Sequence, residues 1–507
     1  MHITFSIKRG IKMNYVSTRN NEVKVSSAYA IANGISAEGG LYVPETIPAL
    51  SYQDFLTLGE LDYKGKAEFI LKKYLTDFTD NEIARCVNGA YTASFDNEIP
   101  APIAQLGENV NILELWHGPT CAFKDLALQL LPYLLTTSTK KVANGKKTVI
   151  LVATSGDTGK AALEGFKNVE NTEIIVFYPS EGVSPMQKLQ MDSQKGNNVH
   201  VCAIKGNFDD AQSGVKKIFT DTEIKKYLAQ NGMEFSSANS INWGRLVPQI
   251  IYYISAYCDM LAKGDDLENG FNIVVPTGNF GNILAAYYAK EMGVPVNKLI
   301  CASNANRVLT DFINTGIYDR NRDFYTTISP SMDILISSNL ERMLYILADG
   351  DDKYVSQLQN SLAKDGKFTV NDKVLNKMQN LFYGACCDDN GTLKTIKKTF
   401  DEYGYLCDTH TAVAVNAYEQ YLAATGDKSP VIIASTASPY KFAKSVLSAL
   451  SNNIPDSEFE TVDALSRLTN TSVPKPLAEL KNATARFKDI YDKNDMYKAV
   501  CECLKID

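Results

Sequence analysis

Residues Phe271 to Met292 read FNIVVPTGNFGNILAAYYAKEM, and this stretch decides the fold. Phe271–Pro276 is an unbroken apolar strand, and Thr277–Asn282 (TGNFGN) is a small-residue turn. From Ile283 the spacing predicts a helix to Met292. A strand apolar at every position needs cover on both faces, which a parallel sheet flanked by helices supplies. The theme recurs along the chain. Thr148–Ala153 (TVILVA) leads through TSGDTG into a helix over about 160–167, and Val431–Ala434 (VIIA) leads through STASP into a helix near Phe442. Glu173–Tyr178, His200–Ile204 and Lys298–Ser303 are further strand signals. The expected fold class is α/β, with open, mostly parallel sheets flanked by helices. Ligands of such folds sit beyond the carboxyl ends of the strands, where these turns fall.

Residues 1–95 read as an additional N-terminal segment, with GGLYVPETIP as a turn-rich connection. The rest divides into a large domain of 96–142 and 245–507 and a small α/β domain of 143–244. Within the large domain, 310–400 looks mainly helical, an elaboration of the core. Met13 is a candidate start, with residues 1 to 12 as an extension.

The net charge of −7 removes the electrostatic reason to expect a nucleic-acid partner. No apolar run is long enough to span a membrane, and the N-terminus lacks the order of a secretory signal. Cys386-Cys387 and Cys501/Cys503 match neither a zinc site nor a CxxC pair, and four histidines make a metal centre improbable. A reduced, cytoplasmic protein is expected, with no metal and no membrane partner.

Lys124, in ELWHGPTCAFKDLALQLL, carries the chemistry. Gly118-Pro119 marks a turn, and from Leu126 to Leu135 only Gln129 is clearly polar, so an interior helix should begin here. Burial and the positive helix end both disfavour an ammonium at this position, and a neutral amine suits Schiff-base chemistry. The competing readings are a stem that reaches solvent or an ion pair with Asp125.

The loop Gly278-Asn279-Phe280-Gly281-Asn282 is an anion-binding candidate, because glycines allow close approach to the N–H groups of a starting helix. A turn that binds nothing is its alternative. Ser155-Gly156-Asp157-Thr158 suits a carboxylate or phosphate, or a helix cap. Ser240, Asn242 and Arg245 bring a hydroxyl, an amide and a guanidinium to the start of an apolar helix, to clamp a phosphate or to cap that helix. A buried lysine and two anion loops on one sheet edge ask for a ligand that is both aldehyde and phosphate, which describes pyridoxal 5′-phosphate.

These segments resemble the threonine synthase family. The resemblance runs from YVSTRN and EGGLYVPETIP through HGPTCAFKDLALQ, ATSGDTGKAA, NSINWGRLVPQ and VPTGNFGN to SPSMDILISSNLERML and STASPYKF. It implies the pyridoxal-phosphate fold of type II. It further implies Lys124 as the internal-aldimine lysine, Gly278 to Asn282 around the cofactor phosphate and Thr436 at the pyridine nitrogen. Ser155 to Thr158 would lie near the substrate carboxylate, and Ser240, Asn242 and Arg245 near the substrate phosphate. Three positions depart from the family pattern: Lys160 for a small residue, Gly244 for alanine and Ser438 for histidine.

The activity implied is that of a carbon–oxygen lyase converting O-phospho-L-homoserine and water to L-threonine and phosphate, the last step of threonine biosynthesis. The alternatives are a phospho-lyase that releases 2-oxobutyrate and a catalytically silent paralogue that keeps the cofactor site.

Overall fold

The computed structural model describes residues 12–96, 99–142, 146–154, 156–181 and 183–506. Two largely parallel sheets organise the chain. The larger runs, in spatial order, Phe382–Cys386, Val296–Ser303, Phe271–Pro276, Val431–Ser435, Val110–Glu114 and Ile103–Gly107. All neighbours are parallel except the last two, which a tight turn through Asn109, at φ 76°, joins antiparallel. The smaller runs Ile490–Asp492, Val199–Lys205, Thr172–Pro179, Lys147–Ala153 and Met233–Ser236, parallel throughout. The apolar strand Phe271–Pro276 is buried at every residue, as its composition requires.

The 21-residue helix Trp243–Lys263 is buried over nearly its whole length, so it is apolar all round rather than on one stripe. Trp243 at its start meets Tyr15, Tyr74 and Tyr288 at ring distances of 5.4–5.6 Å. Each fully buried side chain of this size stabilises the fold by about 2 kcal/mol, and together they seat the N-terminal segment on the core. Thr18 and Arg19 reinforce that seat through Glu341, with Arg19 Nη2 2.7 Å from its carboxylate.

Three features differ from the sequence expectation. The helix expected through Leu126 to Leu135 is two, Lys124–Leu128 and Leu131–Val142. Pro132 has no N–H, and its ring conflicts with the carbonyl four residues back, which breaks the run. The region 310–400 is mainly helical but also supplies the strand Phe382–Cys386 to the edge of the larger sheet. Finally, Ile490–Asp492 pairs with Val199–Lys205, so the chain returns after 245 to complete the smaller sheet. A three-residue strand with no apolar alternation carries little signal of its own.

Candidate active site

Val110–Glu114, Phe271–Pro276 and Val431–Ser435 are the inner strands on one side of the larger sheet, and their carboxyl ends deliver three loops side by side. The loop before Lys124 is zipped to the one after Ser435. Leu115 N donates to Ser435 O at 2.9 Å, Phe123 N to Thr436 O at 2.9 Å, and Ser438 N to Cys121 O at 3.1 Å. Asp125 does not pair with Lys124. Its carboxylate accepts the Thr120 N–H at 2.8 Å and the Thr120 hydroxyl at 2.7 Å, which folds the HGPT turn. Burial pushes the Asp125 carboxyl up to about 6, against these bonds and the pull of Lys441.

Lys124 is thereby turned toward Ser331 and toward Asp157 at the end of the smaller sheet's strand Lys147–Ala153. Its side chain is 12% exposed, and Nζ lies 3.2 Å from Ser331 Oγ and 3.7 Å from Asp157 Oδ2. Burial lowers its amine to about 8; Asp157 opposes the shift, while Lys441 and Arg245 add to it. The reading of a stem reaching solvent fails here.

Asp157 opens the helix Asp157–Phe166 at the end of Lys147–Ala153. Its Oδ1 lies 2.6 Å from Lys441 Nζ and accepts Gln187 Nε2 at 2.9 Å. Burial pushes this carboxyl up, but Lys441 and then Lys124 outweigh it and hold it below the ordinary range. Thr154 Oγ1, not Asp157, satisfies the turn, accepting Gly156 N at 3.0 Å and Gly159 N at 2.9 Å. Thr158 is half-buried in the first turn, and Ser155 lies outside the described residues.

In the glycine loop, Phe280 adopts φ 62° and the helix Gly281–Glu291 starts at once. Asn282 Oδ1 accepts Tyr252 OH at 2.8 Å and also Tyr253 OH, yet its buried Nδ2 has no partner among the described residues. A Cβ at Gly278 would sit 2.7 Å from Ser331 O, so only glycine lets these two loops touch. Thr436 is 6% exposed beside the Lys124 loop.

Arg245 is 5% exposed, donates through Nη1 to Ala238 O at 2.8 Å, and has an unpartnered buried Nε. Burial lowers its guanidinium to about 10, and no carboxylate pairs with it among the described residues. Ser240 is half-buried, its hydroxyl 3.3 Å from that of Ser338. Asn242 corrects the sequence expectation. Its Oδ1 caps Gly244 N at 2.8 Å and its Nδ2 donates to Ile31 O at 2.9 Å, so its side chain is spent on the fold.

The three departures have local explanations. Lys160 is buried and bonded to Glu164 and Gln194, neither in the anion site nor in solvent. A Cβ at Gly244 would lie 2.8 Å from Leu131 Cδ1, so glycine relieves a crowded contact. Ser438 caps the turn Pro439–Phe442, accepting Tyr440 N at 3.4 Å.

Sequence analysis does not single out Ser331, His410 or Lys441. The Ser331 N–H donates to His410 Nε2 at 3.1 Å, so the ring proton is on Nδ1, facing Asp408 Oδ1 at 2.8 Å. This pair orients the Pro330–Met332 turn toward Lys124. The SPSM and PYKF segments were the only available signal, and neither assigns a role by itself.

Residues 97–436 match the model described as pyridoxal-phosphate dependent enzyme, and the chain belongs to that class. Residues 14–91 and 411–501 match models described as threonine synthase N terminus and threonine synthase, C-terminal, which makes the chain a member of the threonine synthase family. Threonine synthase-like 1 of Homo sapiens is 40% identical over 455 residues, 87% of this chain. The chain spans 60% of the length of that relative. Threonine synthase of Pseudomonas aeruginosa is 36% identical over 471 residues, covering 92% of this chain and 97% of the relative. The solved structure of threonine synthase from yeast aligns with TM-score 0.87 at 34% identity, covering 97% of this chain and 99% of that one. A PLP-bound threonine synthase from Brucella melitensis aligns with TM-score 0.86, also at 34% identity.

Pyridoxal phosphate is accordingly the cofactor, and the donor set fits it. A depressed lysine amine suits an aldehyde. The N–H groups at Gly278 to Asn282, with the orphaned Asn282 Nδ2, suit a phosphate. Among the described residues, no helix is long and apolar enough to cross a membrane.

Proposed function

We propose that this chain is a carbon–oxygen lyase that converts O-phospho-L-homoserine and water to L-threonine and phosphate. The observation that carries the reading is the Lys124 amine, lowered to about 8, held between Ser331 and Asp157 and within electrostatic reach of Arg245, whose buried Nε has no partner among the described residues. A phosphorylated amino acid supplies what each group lacks: an amine and acidic C–H bonds for Lys124, and an anion for Arg245.

Lys124 would carry the cofactor aldehyde, Gly278 to Asn282 its phosphate, and Thr436 Oγ1 its ring nitrogen. When bound, the cofactor supplies a conjugated ring that withdraws electrons from the carbons of the attached amino acid. With the substrate seated, Lys124 Nζ would be the base for the Cα proton and the carrier of protons at Cβ and Cγ. Cβ would give up a proton as the Cγ–O bond breaks, phosphate would leave with the bonding pair and take up a proton, Cγ would gain a proton, and water would add its hydroxyl at Cβ as a proton returns to Cα. The buried Arg245 and the Ser240 hydroxyl would hold the phosphate before and after that break. With Asp157 turned to the lysines and Thr154 Oγ1 holding the Gly156 and Gly159 N–H groups, the N–H groups of Asp157 and Thr158 in the first turn would be left for the substrate carboxylate. Asn242 acts only through the backbone it caps.

The ten cysteines stand as free thiols, which supports a reducing, cytoplasmic setting. The test is product analysis of purified protein with O-phospho-L-homoserine, beside Lys124→Ala. Threonine and phosphate in equal amounts from wild type alone support the reading. Release of 2-oxobutyrate and ammonia would move the function to the phospho-lyase, and no turnover would leave a cofactor-binding paralogue.

A further inference from the structure

We infer that Lys441 is a positioning residue for Lys124: by holding Asp157 in a closer buried ion pair, it leaves the Lys124 amine only a shared and more distant carboxylate. The inference deepens the proposed function and rests on it for the role of Lys124.

Asp157 stands between two lysines at unequal range. Its Oδ1 is 2.6 Å from Lys441 Nζ, while its Oδ2 is 3.7 Å from Lys124 Nζ and 3.5 Å from Ser331 Oγ. The Lys441 side chain is 0% exposed and that of Asp157 3%, so solvent screens neither. Lys441 also donates to Thr120 O at 2.9 Å, which fixes its ammonium against the turn that precedes Lys124. The pair bridges the two halves of the site. Lys441 follows Val431–Ser435 of the larger sheet, and Asp157 follows Lys147–Ala153 of the smaller.

Buried charges interact strongly at these distances, and the nearer partner dominates. Facing Lys124 are Asp157 and Ser331, with the cations of Lys441 and Arg245 behind, while Asp125 is turned away to Thr120. With Lys441 present, the charge of Asp157 is already answered, and burial governs the Lys124 amine. Without it, Asp157 becomes the counter-ion of Lys124, and the amine holds its proton to higher pH.

The test labels Lys124 in the full chain freed of cofactor, with an amine-selective acylating reagent between pH 6 and 10, read by peptide mass spectrometry. In Lys441→Met, labelling of Lys124 at pH 7 falls at least about tenfold, because one pKa unit is a tenfold change in neutral amine. Lys441→Arg keeps the charge and the wild-type profile. An unchanged profile in folded Lys441→Met overturns the inference. Should that variant not fold, Asp157→Asn with Lys441→Met removes both charges and leaves no buried ion uncompensated. Its profile stays within about threefold of wild type at pH 7; a tenfold fall there overturns the inference equally. Neither substrate nor cofactor enters this measurement, so its outcome is independent of whether the product is threonine or 2-oxobutyrate.

Discussion

The Ser331 hydroxyl stands 3.2 Å from the Lys124 amine, although 207 residues separate them in the chain. The hydroxyl oxygen accepts from Nζ, and its proton points at Asp157 Oδ2, 3.5 Å away. An amine held this way keeps its lone pair free and its direction set. Ser331→Ala removes the oxygen and keeps the backbone N–H that donates to His410. The expected result is a fall in kcat of about tenfold with KM within about threefold, from loss of one hydrogen bond to an ionisable group. Steady-state kinetics with O-phospho-L-homoserine checks it, and an unaltered kcat would remove Ser331 from the site.

The same turn constrains the glycine loop. A Cβ on Gly278 would meet Ser331 O at 2.7 Å and Met332 Cα at 3.5 Å, both backbone atoms that no rotamer change can withdraw. Gly278→Ala is therefore expected to push the two loops apart at a cost of about 1–3 kcal/mol. Because both loops border the proposed cofactor site, retention of pyridoxal phosphate should weaken about tenfold or more, while overall secondary structure persists. Equilibrium dialysis followed by cofactor absorbance measures it; wild-type retention would show that the loops can move independently.

The framework was legible in sequence because its strands are unbroken apolar runs ending in small residues, a pattern physics allows in few settings. Phe271–Pro276 emerges with the bounds its composition suggests. Lys124 was legible for the same reason, as a charge entering an apolar segment. Lys441 was not, since its meaning comes from Asp157 and Thr120, the latter 321 residues away, and a lysine in PYKF has no local oddity. Ser331 hid likewise inside a polar turn. Asn242 shows the opposite failure: an asparagine just before a helix is first of all a cap, and here both ends of its amide are used that way.

Arg245 is a buried cation with no carboxylate partner among the described residues, a costly arrangement unless an anion arrives. Burial has already lowered its guanidinium to about 10, and its Nε donates to nothing among the described residues. Arg245→Met should leave thermal stability unchanged or raised, since it removes an uncompensated charge. Affinity for the phosphorylated substrate, by contrast, should fall about 10- to 100-fold, the worth of a charge-assisted hydrogen bond. Thermal melts and KM together make the check. A large loss of stability with KM intact would mark the residue as part of the scaffold alone.

His117 offers a pH-dependent test of how the turn at Asp96 is fastened to the strand Val110–Glu114 and the loop that follows it. Its Nδ1 lies 2.7 Å from Asp96 Oδ1 and its Nε2 2.9 Å from Glu114 Oε2, and the ring stacks on Trp116 at 4.2 Å. Burial lowers the imidazole pKa, but the two carboxylates outweigh it and raise the group to about 9. A histidine whose folded pKa lies above its unfolded value of about 6.5 binds an extra proton in the folded state. The stability it contributes is fully present below pH 6.5 and is lost as pH rises through 9. His117→Gln should thus cost roughly 1–2 kcal/mol at pH 6, less than the full shift implies because Asp96 is half exposed. At pH 10 the variant and wild type should unfold alike. Urea melts at the two pH values decide it, and an equal difference at both would mean that packing on Trp116, not charge, holds the turn.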